Sequence, residues 1–317
     1  MKTAAKSKKR KHNRQNKKHK LKNVKNTTDS DNSKVEGGYV LMTNWKFALS
    51  TADEADGSAP ILLRGDITDN LIQAAKLGYH AIEIHTRETV RWDYSALAKT
   101  MAEHSVKISA IVTGRLCTEG KVNLIDDIPY VTQSAVEGMK KYIDMAQRMK
   151  TDIVVGWVKG RLPEKTSAGR YLDRLAYHLG ILNEYAGERN VKIHLEVINR
   201  YETNLFNTAA ETVAFIQKNH LDNCYVHLDT FHMGIDETDP AHAIRCCGDK
   251  LGYMHFADNS RGYPGSGQFN FRTILNALKD IEYQGYLSVE CLPKPDGITA
   301  ARMAISHLTD CMNTPIF

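Results

Sequence analysis

Nowhere in the 317 residues do eighteen apolar side chains run together, so no membrane-spanning helix is expected. The six cysteines (Cys117, Cys224, Cys246, Cys247, Cys291 and Cys311) form no Cys-x-x-Cys pair. That excludes a zinc knuckle and gives no sign of a disulfide framework. Scattered thiols of this kind fit a reducing compartment, and a cytoplasmic location is expected. No apolar segment follows the basic N-terminus, so no secretory signal is expected. No glycine-rich dinucleotide fingerprint follows an early strand. The glycines of "GYPGSG", Gly262 to Gly267, lack the Lys-Ser/Thr pair of a phosphate loop and are read as a turn.

Acidic residues are absent from residues 1–26, which carry twelve Lys and Arg. The remainder sets 30 Lys and Arg against 37 Asp and Glu, a net of −7 hidden inside the overall +5. Like charges at this density repel and almost nothing apolar is present to bury, so residues 1–38 are expected to be a disordered basic tail. Two roles stay open for it. One is a solubilising or targeting extension; the other is an arm making unspecific phosphate contacts with nucleic acid or another polyanion. The tail contains no aromatic side chain on which a base could stack.

Residues 39–317 repeat one rhythm, a short apolar strand followed by a helix with apolar residues three and four apart. Strands are expected at "KFAL", "HAIEI", "VKISAIV", "TDIVVGW", "VKIHLEV", "CYVHLD", "LGYMHFA" and "GYLSVEC". Helices are clearest at 131–149, 168–189, 208–219, 271–281 and 297–312, with an earlier one starting near Asp66 and ending at Gly78. Eight such units predict an α/β fold, a single (β/α)8 TIM barrel, whose chemistry lies at the C-terminal ends of the strands.

Four neighbouring strands end on polar side chains: Glu196, Asp229, His255 and Glu290. Three carboxylates converging on one mouth would repel each other, and burial would worsen this. A divalent cation removes the conflict. Hard oxygens with one imidazole suit Mn²⁺ best, then Mg²⁺ or Co²⁺. His194 and His227 alternate with Glu196 and Asp229 and are read as interior packing or hydrogen-bonding residues. Glu83 and His85 end the second strand, with a pocket-floor and a structural role equally open for Glu83. Trp157 and Tyr263 either wall the mouth or pack.

The stretches "LEVINRYETN", "HLDTFHM", "HFADNSRGYPGSG" and "SVECLP", with "LRGD", "GYHAIEI" and "VVGWVKGR" before them, resemble the sugar isomerase and epimerase superfamily with the xylose isomerase-like barrel. Within it the chain is similar to the ketose 3-epimerases, from about Lys46 onward. The resemblance implies metal ligands at Glu196, Asp229, His255 and Glu290. It implies acid-base roles for Glu196 and Glu290 through a cis-enediolate, and substrate contacts from Glu202, His232 and Arg261. The implied partner is a ketose, a keto-acid sugar or a sugar phosphate, with homo-oligomerisation left open. Arg87, Arg115, Lys159 and Arg161 follow strands two to four, and their convergence would favour an anionic substrate. Three other readings compete: an aldose-ketose isomerase on the same barrel, an endonuclease IV-type repair enzyme, and a binding protein on a retired barrel.

Overall fold

The computed structural model describes residues 45–164 and 167–313; the basic tail, residues 1–38, lies outside the described residues. Eight parallel strands carry the fold: β1 (Lys46–Ala52), β2 (Ala81–His85), β3 (Lys107–Val112), β4 (Asp152–Val155), β5 (Ile193–Glu196), β6 (Cys224–Asp229), β7 (Leu251–Phe256) and β8 (Tyr286–Val289). Each pairs with its successor. β8 returns to β1 through Lys46↔Tyr286 to Leu49↔Val289, which closes the barrel. A two-residue strand, Leu63–Arg64, adds to the end of β1.

The outer layer consists of α1 (Ile67–Lys76), α2 (Tyr94–His104), α3 (Gly114–Thr118), α4 (Pro129–Met149), α5 (Gly169–Gly187), α6 (Ala209–Lys218), α7 (Thr230–Asp236), α8 (Pro240–Cys247), α9 (Phe271–Asp280) and α10 (Gly297–Asn313). Their ends follow local chemistry. Asp66 caps α1 by accepting from Thr68 N at 2.8 Å, and Gly78 follows the helix at φ +86°. Pro129 opens α4, and Thr208 with Glu211 forms a capping box on α6. Among the described residues no helix is long and apolar enough to cross a membrane.

Alternation along each strand sends one set of side chains outward and the next inward. Leu49, Ile82, Ile111, Ile153, Leu195, Leu228, Phe256 and Val289 join the buried apolar layer between barrel and helices. The inward set is divided. On the β3–β4 side Ala110, Val112 and Val154 pack with Tyr253. From β2 and from β5 to β8 come Glu83, His194, Glu196, His227, Asp229, His255 and Ser288, all buried. Half of a barrel interior that is usually filled by branched apolar residues is thus polar.

Candidate metal centre and active site

The ends of β5 to β8 bring the four expected strand-end groups together. His255 Nδ1 lies 3.9 Å from Glu196 Oε1 and 3.7 Å from Glu290 Oε2. Ligand atoms of Asp229, His255 and Glu290 all lie within 4.8 Å of one another, as do those of Glu196, Asp229 and His232. The register explains the convergence: Glu196 is level with His227, Asp229 with His255, and His255 with Ser288, so Glu290 stands just beyond β8.

Asp229 also starts α7. Its Oδ1 accepts the Phe231 N–H at 2.8 Å, whereas the buried Oδ2 has no hydrogen-bond partner. His255 Nδ1 is likewise buried and unpartnered. Buried polar atoms are normally satisfied, so two orphans in one cluster point to a missing partner. The charges agree. Burial pushes the Glu196 carboxyl up to about 8, and Glu290 adds to the rise. Burial lifts Asp229 to about 6 against the pull of Arg261 and His255. Burial opposes charge on His255, yet Glu83 and Glu290 outweigh it and lift the imidazole to about 10. A donor set of three carboxylates and one imidazole, with two of its atoms orphaned, fits a hard divalent cation.

The three residues expected to contact substrate surround this cluster. His232 Nε2 is 3.8 Å from Asp229 Oδ2 and 4.0 Å from Glu196 Oε1. Its Nδ1 accepts from Asn199 Nδ2 at 2.7 Å, which leaves the proton on Nε2, facing the cluster. Burial, with Arg261 and Lys159 nearby, holds this imidazole well below its usual range. Arg261 donates from Nη2 to Glu290 Oε2 at 2.9 Å and from Nη1 to Glu202 Oε1 at 3.3 Å. Its guanidinium stacks on Phe231, 4.8 Å from the ring centre. Asn199 Nδ2 also donates to Glu202 Oε1 at 3.0 Å.

Several residues of the site had no separate signal in the sequence. Asn199 is one hub; only its place in "VINRYE" marks it. Asp258 is another. Its carboxylate accepts the N–H groups of Gly265, Gly267 and Phe269 at 2.9, 2.9 and 3.0 Å and so shapes the loop that presents Arg261. A Cβ on Gly267 would meet Asp258 Oδ1 at 2.4 Å, so this glycine makes room for the carboxylate rather than for a ligand. Gly156, just past β4, has the corresponding relation to Glu196, whose Oε2 a Cβ would meet at 2.3 Å.

The expected anion-attracting set is corrected. Arg87 pairs with Asp53, Glu54 and Glu119 at 2.9, 2.8 and 2.6 Å. Arg115 pairs with Asp53 at 2.7 Å. Both charges are already met by acids of the loops after β1 and α3. Lys159 is 1% exposed, and its Nζ donates to the main-chain oxygens of Gly156 and Glu196 at 3.1 and 2.9 Å. It ties the ends of β4 and β5 together, and burial lowers its ammonium to about 8. Arg161 Nη1 donates to the Glu202 main-chain oxygen at 3.2 Å. Tyr263 packs half-buried against the outer core, while Trp157 is 46% exposed.

The family model described as the xylose isomerase-like TIM barrel matches residues 71–311. The chain belongs to that family. It is similar to an L-ribulose 3-epimerase of Methylomonas sp. (strain DH-1), with 30% identity over 68% of this chain and 75% of the relative. It is also similar to a 3-dehydro-D-guloside 4-epimerase of Escherichia coli (strain K12), with 34% identity over 48% of this chain and 59% of the relative. Among solved structures it resembles an L-ribulose 3-epimerase with TM-score 0.73 and 25% identity, over 84% of this chain and 94% of the other. In a TIM barrel the C-terminal strand ends are the place to seek chemistry, and the polar half of the interior opens at those of β5 to β8.

Proposed function

We propose that this chain is a divalent-metal-dependent 3-epimerase of a ketose. One observation supports the reading most: Glu196 and Glu290 flank a buried cluster whose Asp229 Oδ2 and His255 Nδ1 have no partner in the protein. Glu196, Asp229, His255 and Glu290 would hold the cation, with Mn²⁺ the first candidate and Mg²⁺ or Co²⁺ next. When bound, it supplies Lewis-acid stabilisation to charge on the carbonyl oxygen.

The residues then divide the work. One of Glu196 and Glu290 accepts the C3 proton, leaving a cis-enediolate. The other, protonated at the outset, returns a proton to the opposite face, and C3 inverts. Burial lifts the Glu196 carboxyl to about 8, with Glu290 adding to the rise, which suits Glu196 to carrying a proton. His232 Nε2–H and the Arg261 guanidinium face the oxygens on which charge develops. Glu202, held by Asn199 and Arg261, is left to receive a sugar hydroxyl. With Arg87 and Arg115 neutralised, the far end of a neutral ketose fits this mouth better than a carboxylate or a phosphate.

The nuclease alternative needs further imidazole ligands. Beyond His255, His227 has two unpartnered nitrogens and shares a group of potential ligand atoms with Glu196 and His255, so the choice of a sugar over a nucleic acid rests on the epimerase relatives. A panel of neutral, acidic and phosphorylated ketoses incubated with Mn²⁺ tests the reading. Epimerisation of a neutral ketose at C3 is expected. Conversion to an aldose, or turnover confined to a sugar phosphate, would contradict it.

A further inference from the structure

One buried carboxylate of the barrel interior has no part in the mechanism above. Glu83, on β2, is fully buried. His255 Nε2 donates to its Oε2 at 2.7 Å, and Ser288 Oγ donates to the same oxygen at 3.0 Å. His85 Nε2 lies 3.1 Å from Oε1. Three strands, β2, β7 and β8, thus meet on one side chain just beneath the mouth.

Its position has two consequences. An imidazole that donates from Nε2 to a carboxylate bares a lone pair on Nδ1 when neutral. Nδ1 is the unpartnered atom of His255, and it faces Glu196 and Glu290. The second consequence runs through His85, whose Nε2 lies between Glu83 Oε1 at 3.1 Å and Glu290 Oε1 at 3.5 Å. The other Glu290 oxygen, Oε2, is held by Arg261. Glu83 therefore braces one strand-end group directly and a second through one intervening side chain.

We propose that Glu83 is a positioning residue for the metal centre: it fixes the His255 tautomer that presents Nδ1 to a cation and steadies Glu290 through His85. The inference rests on the reading of Glu196, Asp229, His255 and Glu290 as the cation's ligands. It assigns part of the site's affinity to a side chain that touches neither cation nor sugar. Partners of this kind typically change metal affinity by about 10–100-fold.

The test is calorimetric titration of the full metal-free chain with Mn²⁺, comparing wild type with Glu83→Gln. Gln keeps the volume but removes the charge and one acceptor. The dissociation constant is expected to rise about 10–100-fold, with near-ultraviolet circular dichroism of the metal-free variant unchanged. A folded variant that binds Mn²⁺ within about twofold of wild type overturns the proposal. A second measurement needs no variant. Nitrogen NMR of wild-type histidines with Mg²⁺, which is diamagnetic, should show His255 protonated at Nε2 and coordinated at Nδ1. The opposite tautomer overturns the proposal even if Glu83→Gln fails to fold. Wild-type chain that binds no Mn²⁺ at all instead overturns the metal reading, and this inference with it.

Discussion

Asn199 Nδ2 donates to both His232 Nδ1 and Glu202 Oε1, so a single amide sets the tautomer of one proposed substrate contact and holds the carboxylate of another. Asn199→Ala is expected to lower kcat about 10²-fold, the usual effect of losing one aligned oxyanion donor. Steady-state kinetics check this, and an unchanged kcat would remove His232 from that role. Gly156 is a comparable case of room rather than reach. The methyl group of Gly156→Ala would meet Glu196 Oε2 at 2.3 Å, so the carboxylate must turn away. Activity should fall at least about tenfold, a fraction of the 10²–10⁴ attached to a positioned acid or base, while the melting temperature changes little. At this scale the sequence was legible where polar side chains end strands: Glu196, Asp229, His255 and Glu290 all stand at or just past the ends of β5 to β8 and converge there. Lys159 misled because a lysine after a strand normally reaches solvent, and only the structure shows its ammonium buried between two carbonyls.

The loop between β7 and α9 shows how an element is built around one side chain. Asp258 gathers the N–H groups of Gly265, Gly267 and Phe269, and the turn so formed holds Arg261 at φ +59°. A left-handed arginine is strained, and strain of this kind persists where the surroundings enforce it. Asp258→Ala is expected to raise KM for the ketose about tenfold or more and to open the 258–269 loop to proteolysis, since three N–H groups that shape the loop lose their acceptor. A variant with wild-type KM would show that Arg261 needs no such support. Elements were legible in proportion to their length. Seven of the eight strands and the helices at 131–149, 168–189, 208–219, 271–281 and 297–312 came out within about two residues at either end, while β1 runs three residues past the expected "KFAL". The strand Leu63–Arg64 and the helices α3 and α7 span too few residues to show a period, so pattern reading passed over them.

Across the whole molecule, the barrel interior is apolar beside β3 and β4 and polar elsewhere, and the polar half ends at the proposed metal centre. Gathering buried carboxylates in this way opposes folding unless a cation meets them. Mn²⁺ at about a hundred times its dissociation constant should therefore raise stability by about 2.7 kcal/mol, seen as a higher melting temperature. His255→Ala and Asp229→Ala should each lose both that shift and the bound metal. The basic tail lies outside the described residues, and we propose that a chain beginning at residue 39 keeps full turnover, because every group assigned to the site comes from Glu83 onward. The most direct test of the account follows wild-type enzyme, Mn²⁺ and a neutral ketose in D₂O by NMR. Two carboxylates on opposite faces predict deuterium at C3 as the C3 epimer forms, and loss of net epimerisation in both Glu196→Gln and Glu290→Gln. Deuterium at C1 with an aldose as product, or epimerisation retained in either variant, would contradict it.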